Sequence, residues 1–300
     1  MAHIFDPVLA NVFPDNATAP LQQRPIGVFD SGVGGLTVLS AIRHLLPHEP
    51  ILYFGDTARL PYGDRSPAEI LQFVRDILHW MLTQQVKLVV MACNTSSALA
   101  LDIVRAEFDL PILGVILPAA RAAVCAGQRI GVIATPATAA SRAYTSAMAE
   151  IEPSVKVWEV GCPEFVPLIE QNRIRDRQTD RIAQRYLAPL LEQQIDVLVY
   201  GCTHYPHLAP VLQKIVPPTI QRINPAVHTA AAVVQELDLL GLRSTGSGGS
   251  WSQTRFCVSD RPERFAQLAS QWLGYEPLVE QIDLIPRPDS VRPGQSINLT

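Results

Sequence analysis

Short apolar runs rich in β-branched residues recur along the chain, separated by longer segments in which apolar residues return every three or four positions. The runs predict strands at 26–29, 51–54, 88–92, 112–115, 130–134, 155–160, 197–200 and 219–223. Between them lie helices. Leu36, Leu39, Ile42 and Leu46 share one helical face, and Ile70, Phe73, Val74, Ile77 and Met81 share another. The second helix opens with Ser66-Pro67-Ala68-Glu69, a capping box with proline at the first helical position. Strands that alternate with helices predict a parallel α/β architecture, because a parallel neighbour requires a crossover and a helix normally supplies it.

Eight strands in this order fit one wide sheet or two smaller ones. Pro118 and the pair Asn224-Pro225 follow the fourth and eighth runs, where the chain would cross between halves, and they favour two. The first half would comprise residues 25–117 and 225–283, and the second 118–224. RSTGSGGS at 243–250 is a flexible loop by composition. Residues 1–24 and 284–300 are expected to be poorly ordered extensions.

Composition narrows the function classes. The 300 residues are 48% hydrophobic and 17% charged, which describes a soluble globular protein able to bury a sizeable core. Lys and Arg number 24 against 28 Asp and Glu, and no basic stripe runs along any element, so nucleic acid is not expected as a partner. No apolar run approaches the roughly 20 residues that span a bilayer, and the first 24 residues lack the features of a secretory signal. Membrane association is therefore not expected, and a cytoplasmic location is. Five cysteines at 93, 125, 162, 202 and 257, with no CxxC pair, predict reduced thiols rather than a disulfide framework. A zinc site from Cys93, Cys202 and His204 has no local ligand spacing in its favour, and no metal is expected.

Ligands of open parallel sheets bind beyond the carboxyl ends of the strands. In this chain those positions are loaded with polar side chains: Asp30 and Ser31 after IGVF, Asp56 and Thr57 after ILYFG, Cys93, Asn94 and Thr95 after LVVMA, and Cys202, Thr203 and His204 after LVYG. VVMACNTSS and LVYGCTHYP share one pattern, an apolar strand, a small residue and a cysteine. Across a pseudo-twofold the two thiols would face each other. Opposed thiols suit inversion at carbon, which removes a proton from one face and returns one to the other; a reference pKa of about 8.5 makes both protonation states accessible. Asp30 is placed to orient or deprotonate Cys93, and His204 to assist Cys202. Ser31, Asn94, Thr95 and Thr203 are small donors at helix starts, where backbone N–H groups favour carboxylates.

FDSGVGGLTVL, GDTARLPYG, ACNTSSA, VPLIE and GCTHYPHL, in this order between Pro25 and the region beyond Ala230, together resemble the glutamate racemases of the cofactor-independent Asp/Glu racemase superfamily. The resemblance implies two flavodoxin-like halves with the site between them, interconversion of L- and D-glutamate without a cofactor, and supply of D-glutamate to peptidoglycan synthesis. It implies that Cys93 deprotonates D-glutamate and Cys202 L-glutamate, assisted by Asp30 and His204, with Asp56 and Glu170 as further acidic positions. Asp30-Ser31, Tyr62-Gly63, Asn94-Thr95 and Thr203-His204 match the family's substrate-binding pairs. Ser96, His207 and Asn224 depart from it, where a small residue, Leu and Asp are common.

Plainer roles compete at each position. Cys125, Cys162 and Cys257 read as packing residues. Asp30 and Asp56 suit helix caps, His204 a loop histidine and Glu170 a solvated carboxylate. DSGVGG mimics a phosphate loop but lacks its Lys-Ser/Thr ending and the spacing of a dinucleotide fingerprint. The rival functions are an aspartate-type racemase, a two-lobed binding protein and a thiol redox protein. Apolar residues on the helices would serve either the core or a homodimer contact.

Overall fold

The computed structural model describes residues 19–244 and 253–284. The expected loop at 243–250 and the two extensions therefore lie largely outside the described residues. The described part of the leading segment forms a turn at Leu21–Gln23, whose Gln22 carbonyl accepts a bond from buried Lys87 (2.7 Å).

Ten strands are described: β1 Ile26–Asp30, β2 Ile51–Gly55, β3 Leu88–Met91, β4 Ile112–Gly114, β5 Arg129–Ala134, β6 Lys156–Gly161, β7 Val197–Gly201, β8 Gln221–Ile223, β9 Thr254–Val258 and β10 Val279–Gln281. All pair in parallel. They form two sheets, ordered β10-β9-β2-β1-β3-β4 and β6-β5-β7-β8. The second-first-third-fourth order therefore occurs twice, which is the flavodoxin-like winding in each half. It makes β3 and β7 equivalent strands. The register aligns the carboxyl ends, with Phe29 beside Phe54 and Met91 in one sheet and Ala134 beside Gly161 and Gly201 in the other.

The helices are α1 Leu36–Leu45, α2 Pro67–Thr83, α3 Asn94–Glu107, α4 Ile116–Ala126, α5 Pro136–Ser141, α6 Ala143–Ile151, α7 Phe165–Glu170, α8 Arg177–Glu192, α9 Ala209–Ile215, α10 Pro225–Leu240 and α11 Pro262–Leu273. Strand alternation sorts the core into layers. Leu88 and Val90 of β3 and Val197 and Val199 of β7 join one central core that takes in α1, α4 and α10. Val89 and Met91 face outward onto α2 and α3, while Leu198 and Tyr200 face outward onto α7, α8 and α9.

The predicted capping box is present: Ser66 Oγ accepts from the Glu69 N–H, and Glu69 accepts from the Ser66 N–H. On that helix Ile70, Val74, Ile77 and Met81 are fully buried, but Phe73 is only half-buried because its ring carries the Arg59 guanidinium 4.4 Å from the centroid. The eight expected strands occur with ends shifted by up to two residues. β9 and β10 are additions. The TRFCV run of β9 interleaves polar and apolar positions, and VEQ is a three-residue edge strand with no apolar pattern to read.

Candidate active site

The carboxyl ends of β1 and β3 in one half and of β5 and β7 in the other open into a cleft of about 450 Å³. Ser31, Tyr62, Gly63, Cys93, Asn94, Thr95, Glu170, Cys202, Thr203 and His204 line it. All ten were singled out in the sequence. Asp30 and Asp56 are fully buried and stand behind the wall instead.

Cys93 is the N-cap residue of α3, so its sulfur meets the backbone N–H groups of Ser96 and Thr95. Those donors favour the thiolate, but burial and then the charge of Asp30 outweigh them and push the thiol up to about 12. At neutral pH Cys93 holds its proton. Cys202 follows β7 in the equivalent place, and its charge also raises Cys93 across the cleft.

The surroundings of Cys202 are different. His204 Nδ1 lies 3.8 Å from the Cys202 sulfur, and its Nε2 lies 3.1 Å from Glu170 Oε1 at the end of α7. Burial pushes the imidazolium down, but the bonds and charges of Cys202 and Glu170 win and carry it up to about 10. A cation is thus held beside sulfur, where it stabilises negative charge as it develops. His204 is buried within this chain of three groups, while Glu170 keeps part of its side chain in solvent.

Asp30 accepts from the Gly32 N–H (3.1 Å) and from Thr203 Oγ1 (3.4 Å) across the cleft. Burial raises its carboxyl above the usual range, opposed by the charge of His204 and the turn's N–H groups. The glycines of DSGVGG have a steric reason: a Cβ on Gly34 would lie 2.3 Å from Thr203 Oγ1 and 2.4 Å from His204 Nδ1, and one on Gly35 would lie 2.5 Å from Asp30 Cβ. They let the turn of one half approach the Thr203-His204 loop of the other. Asp56 caps no helix with its side chain; it accepts from Arg59 Nε (2.6 Å), Ser259 Oγ (2.9 Å) and the Tyr62 hydroxyl, and so fixes Tyr62 in the cleft wall.

Donors and apolar side chains, among them Leu60, Pro61, Pro136 and Val166, share the rest of the wall. Asn94 Oδ1 accepts from the Tyr144 hydroxyl (2.7 Å), which fixes the amide so that the buried Nδ2 has no partner. Thr95, Thr135 and Thr138 join their hydroxyls within 3.2 Å of one another. Thr135 and Arg264, not picked out from the sequence, also line the cleft, as does Cys162, which was read as a packing residue and also belongs to the outer core of the second sheet. Thr135 follows the apolar run of β5, which was the available signal.

A family model described as Asp/Glu/Hydantoin racemase matches residues 35–237. The chain belongs to that racemase family. Membership makes it an isomerase. The chain is 64% identical over 280 residues to a glutamate racemase of Nostoc sp., covering 93% of this chain and 94% of the relative. Among solved structures it is similar to glutamate racemase isoform RacE1 from Bacillus anthracis, with 35% identity, a TM-score of 0.84 and 88% and 98% of the two chains covered. It is also similar to the Francisella tularensis glutamate racemase in complex with D-glutamate, with 34% identity, a TM-score of 0.82 and the same shares.

The departures from the racemase pattern have local explanations. Ser96 donates to the Cys93 carbonyl (3.0 Å), and Asn224 caps α10 by accepting from the Ala226 N–H (3.1 Å). His207 stacks on Trp272. Among the described residues no group of three or more His, Cys, Asp or Glu is placed to hold a metal, and no helix is long and apolar enough to cross a membrane.

Proposed function

We propose that the protein interconverts L- and D-glutamate by proton transfer between two thiols, with no cofactor. The observation that carries this reading is the placement of Cys93 and Cys202 on equivalent strands, both lining one cleft. The names of the relatives supply the substrate.

In the L-to-D direction the Cys202 thiolate takes the Cα proton. The Cα–H bond breaks, an S–H bond forms, and the electron pair moves into the α-carboxylate. The Cys93 thiol then gives its proton to the opposite face and becomes the thiolate. The reverse direction exchanges the roles. His204, held by Glu170, stabilises charge on Cys202, and Asp30 acts on the proton of Cys93. An α-proton is weakly acidic, so donors preorganised around the carboxylate must stabilise the transition state. Ser31, Asn94, Thr95, Thr203 and the Tyr62-Gly63 backbone are placed for this, with Asn94 Nδ2 unpaired and ready. Asp56 serves by holding Tyr62.

Residues 25–117 with 225–283, and 118–224, are the two halves that enclose the substrate. The biological reading is cytoplasmic supply of D-glutamate for peptidoglycan, by a chain able to act alone or as a homodimer. Circular dichroism of L-glutamate with purified protein and no additive tests the chemistry. Decay of the signal to zero, abolished in Cys93→Ala and in Cys202→Ala, is expected. Turnover of aspartate in place of glutamate would reject the substrate, and turnover by either variant would reject the mechanism.

A further inference from the structure

His204 uses both ring nitrogens, one toward Cys202 and one toward Glu170. Two contacts along one line leave the ring free to tilt about that line. A third contact fixes it. The His204 and Trp272 rings meet edge to face, 5.8 Å between centroids at 88°. Trp272 also stacks on His207, 3.9 Å between centroids at 27°. His204 and His207 are three apart along a 3-10 turn, where side chains at that spacing eclipse, so both rings reach one indole.

Trp272 comes from the other half. It lies on α11, which follows β9 of the first sheet, and packs against both the central core and the outer core of the second sheet. It does not line the cleft, so anything it does for the reaction passes through His204. We propose that Trp272 is a positioning residue for proton transfer at Cys202: its indole fixes the plane of the His204 imidazole and keeps water off that ring. This rests on the two-thiol reading above.

The charged and titratable groups facing His204 are Cys202, Glu170, Asp30 and His207. Burial and the charge of His204 push His207 down to about 4, so the ring stacked on Trp272 is neutral and brings no second cation beside His204. An apolar plate on this side preserves the low dielectric in which a charged hydrogen bond is strong. The plate is in place because the two halves are apposed at α11.

The test is a proton NMR spectrum of the protein in water, read for a downfield imidazole N–H of His204 bonded to Glu170 and protected from exchange. The resonance is assigned by its loss in Glu170→Gln. It should be present in the wild type, lost in Trp272→Leu and retained in Trp272→Phe. In the same series kcat of Trp272→Leu should fall about tenfold or more with KM changed by less than about twofold, because misplacement of a positioned group costs rate rather than binding, and Phe should restore most of it. Trp272→Met replaces Leu where the latter does not fold. A wild type without the resonance, or a folded Leu or Met variant that keeps it, overturns the proposal. Neither outcome depends on whether glutamate is turned over, so failure of the racemase reading would be seen separately.

Discussion

The Nε2 of His204 lies 3.1 Å from Glu170 Oε1, in a pair that is buried on the histidine side and open to solvent only on the glutamate side. Its consequence for catalysis is constrained by symmetry. Enantiomers have equal free energy in water, so any variant must keep kcat/KM equal in the two directions. Glu170→Gln, which removes the carboxylate charge, should lower kcat/KM by about tenfold to hundredfold for L- and D-glutamate alike. Its activity should also fall away at lower pH than that of the wild type, whose imidazolium is held up to about 10 partly by Glu170. Polarimetric rates from both enantiomers across pH 7 to 11 check both statements.

The same histidine makes a stability prediction. Its folded midpoint is raised above the ordinary 6.5 to about 10, so it contributes stability in full below the unfolded midpoint and loses it as pH rises through the folded one. His204→Asn should therefore melt below the wild type by a wide margin at pH 6 and by a smaller one at pH 10.5. Denaturant titrations at the two values measure the difference.

Gly34 has no room for a methyl group between Thr203 and His204. Gly34→Ala should lose more than hundredfold in kcat/KM by forcing this contact open, and overpacking should cost about 1–3 kcal/mol of stability. Thermal melts and rate assays on the one protein read both effects. Near-normal activity would show that the loop yields more easily than its burial implies.

Asn94 presents an unpaired Nδ2 because Tyr144 holds its Oδ1. Asn94→Ala should raise the Kd for D-glutamate tenfold or more, the worth of about 1.5–3 kcal/mol for a hydrogen bond to a charged group. Tyr144→Phe should lose about 1 kcal/mol of stability and weaken binding less. Isothermal titration on both variants separates the donor from the residue that orients it.

Asp56 collects bonds from Arg59, Tyr62 and Ser259 behind the wall. Asp56→Ala strands these groups and should cost about 3 kcal/mol, as removal of one partner of a buried ion pair does. It should nevertheless retain measurable racemisation, whereas Cys93→Ala should show none. Loss of turnover without loss of stability would give Asp56 a direct part in the chemistry.

Much of this was legible in the chain because it is local. Apolar runs gave eight strands, and the residues that end them gave Cys93, Asn94, Thr95, Cys202, Thr203 and His204 on one rim. Parallel register aligns those ends within each sheet. What was not legible depends on partners far apart in sequence. Trp272 meets His204 only through the packing of α11, Tyr144 meets Asn94 across the cleft, and Gly34 is glycine because of a loop more than a hundred positions away. Asp30 and Asp56 stand at strand ends like Cys93, yet both lie behind the wall, Asp56 turned toward Arg59, which strand position alone does not decide.

The central claim is that two thiols act on opposite faces of one carbon. Racemisation of L-glutamate in D2O, followed by NMR and mass analysis of each enantiomer at low conversion, tests it most directly. The account predicts deuterium at Cα of the D-glutamate formed, protium retained in the recovered L-glutamate, and no exchange into either in Cys93→Ala or Cys202→Ala that leads to inversion. Deuterium entering recovered L-glutamate as fast as it enters D-glutamate would point to a single base, and would contradict the account.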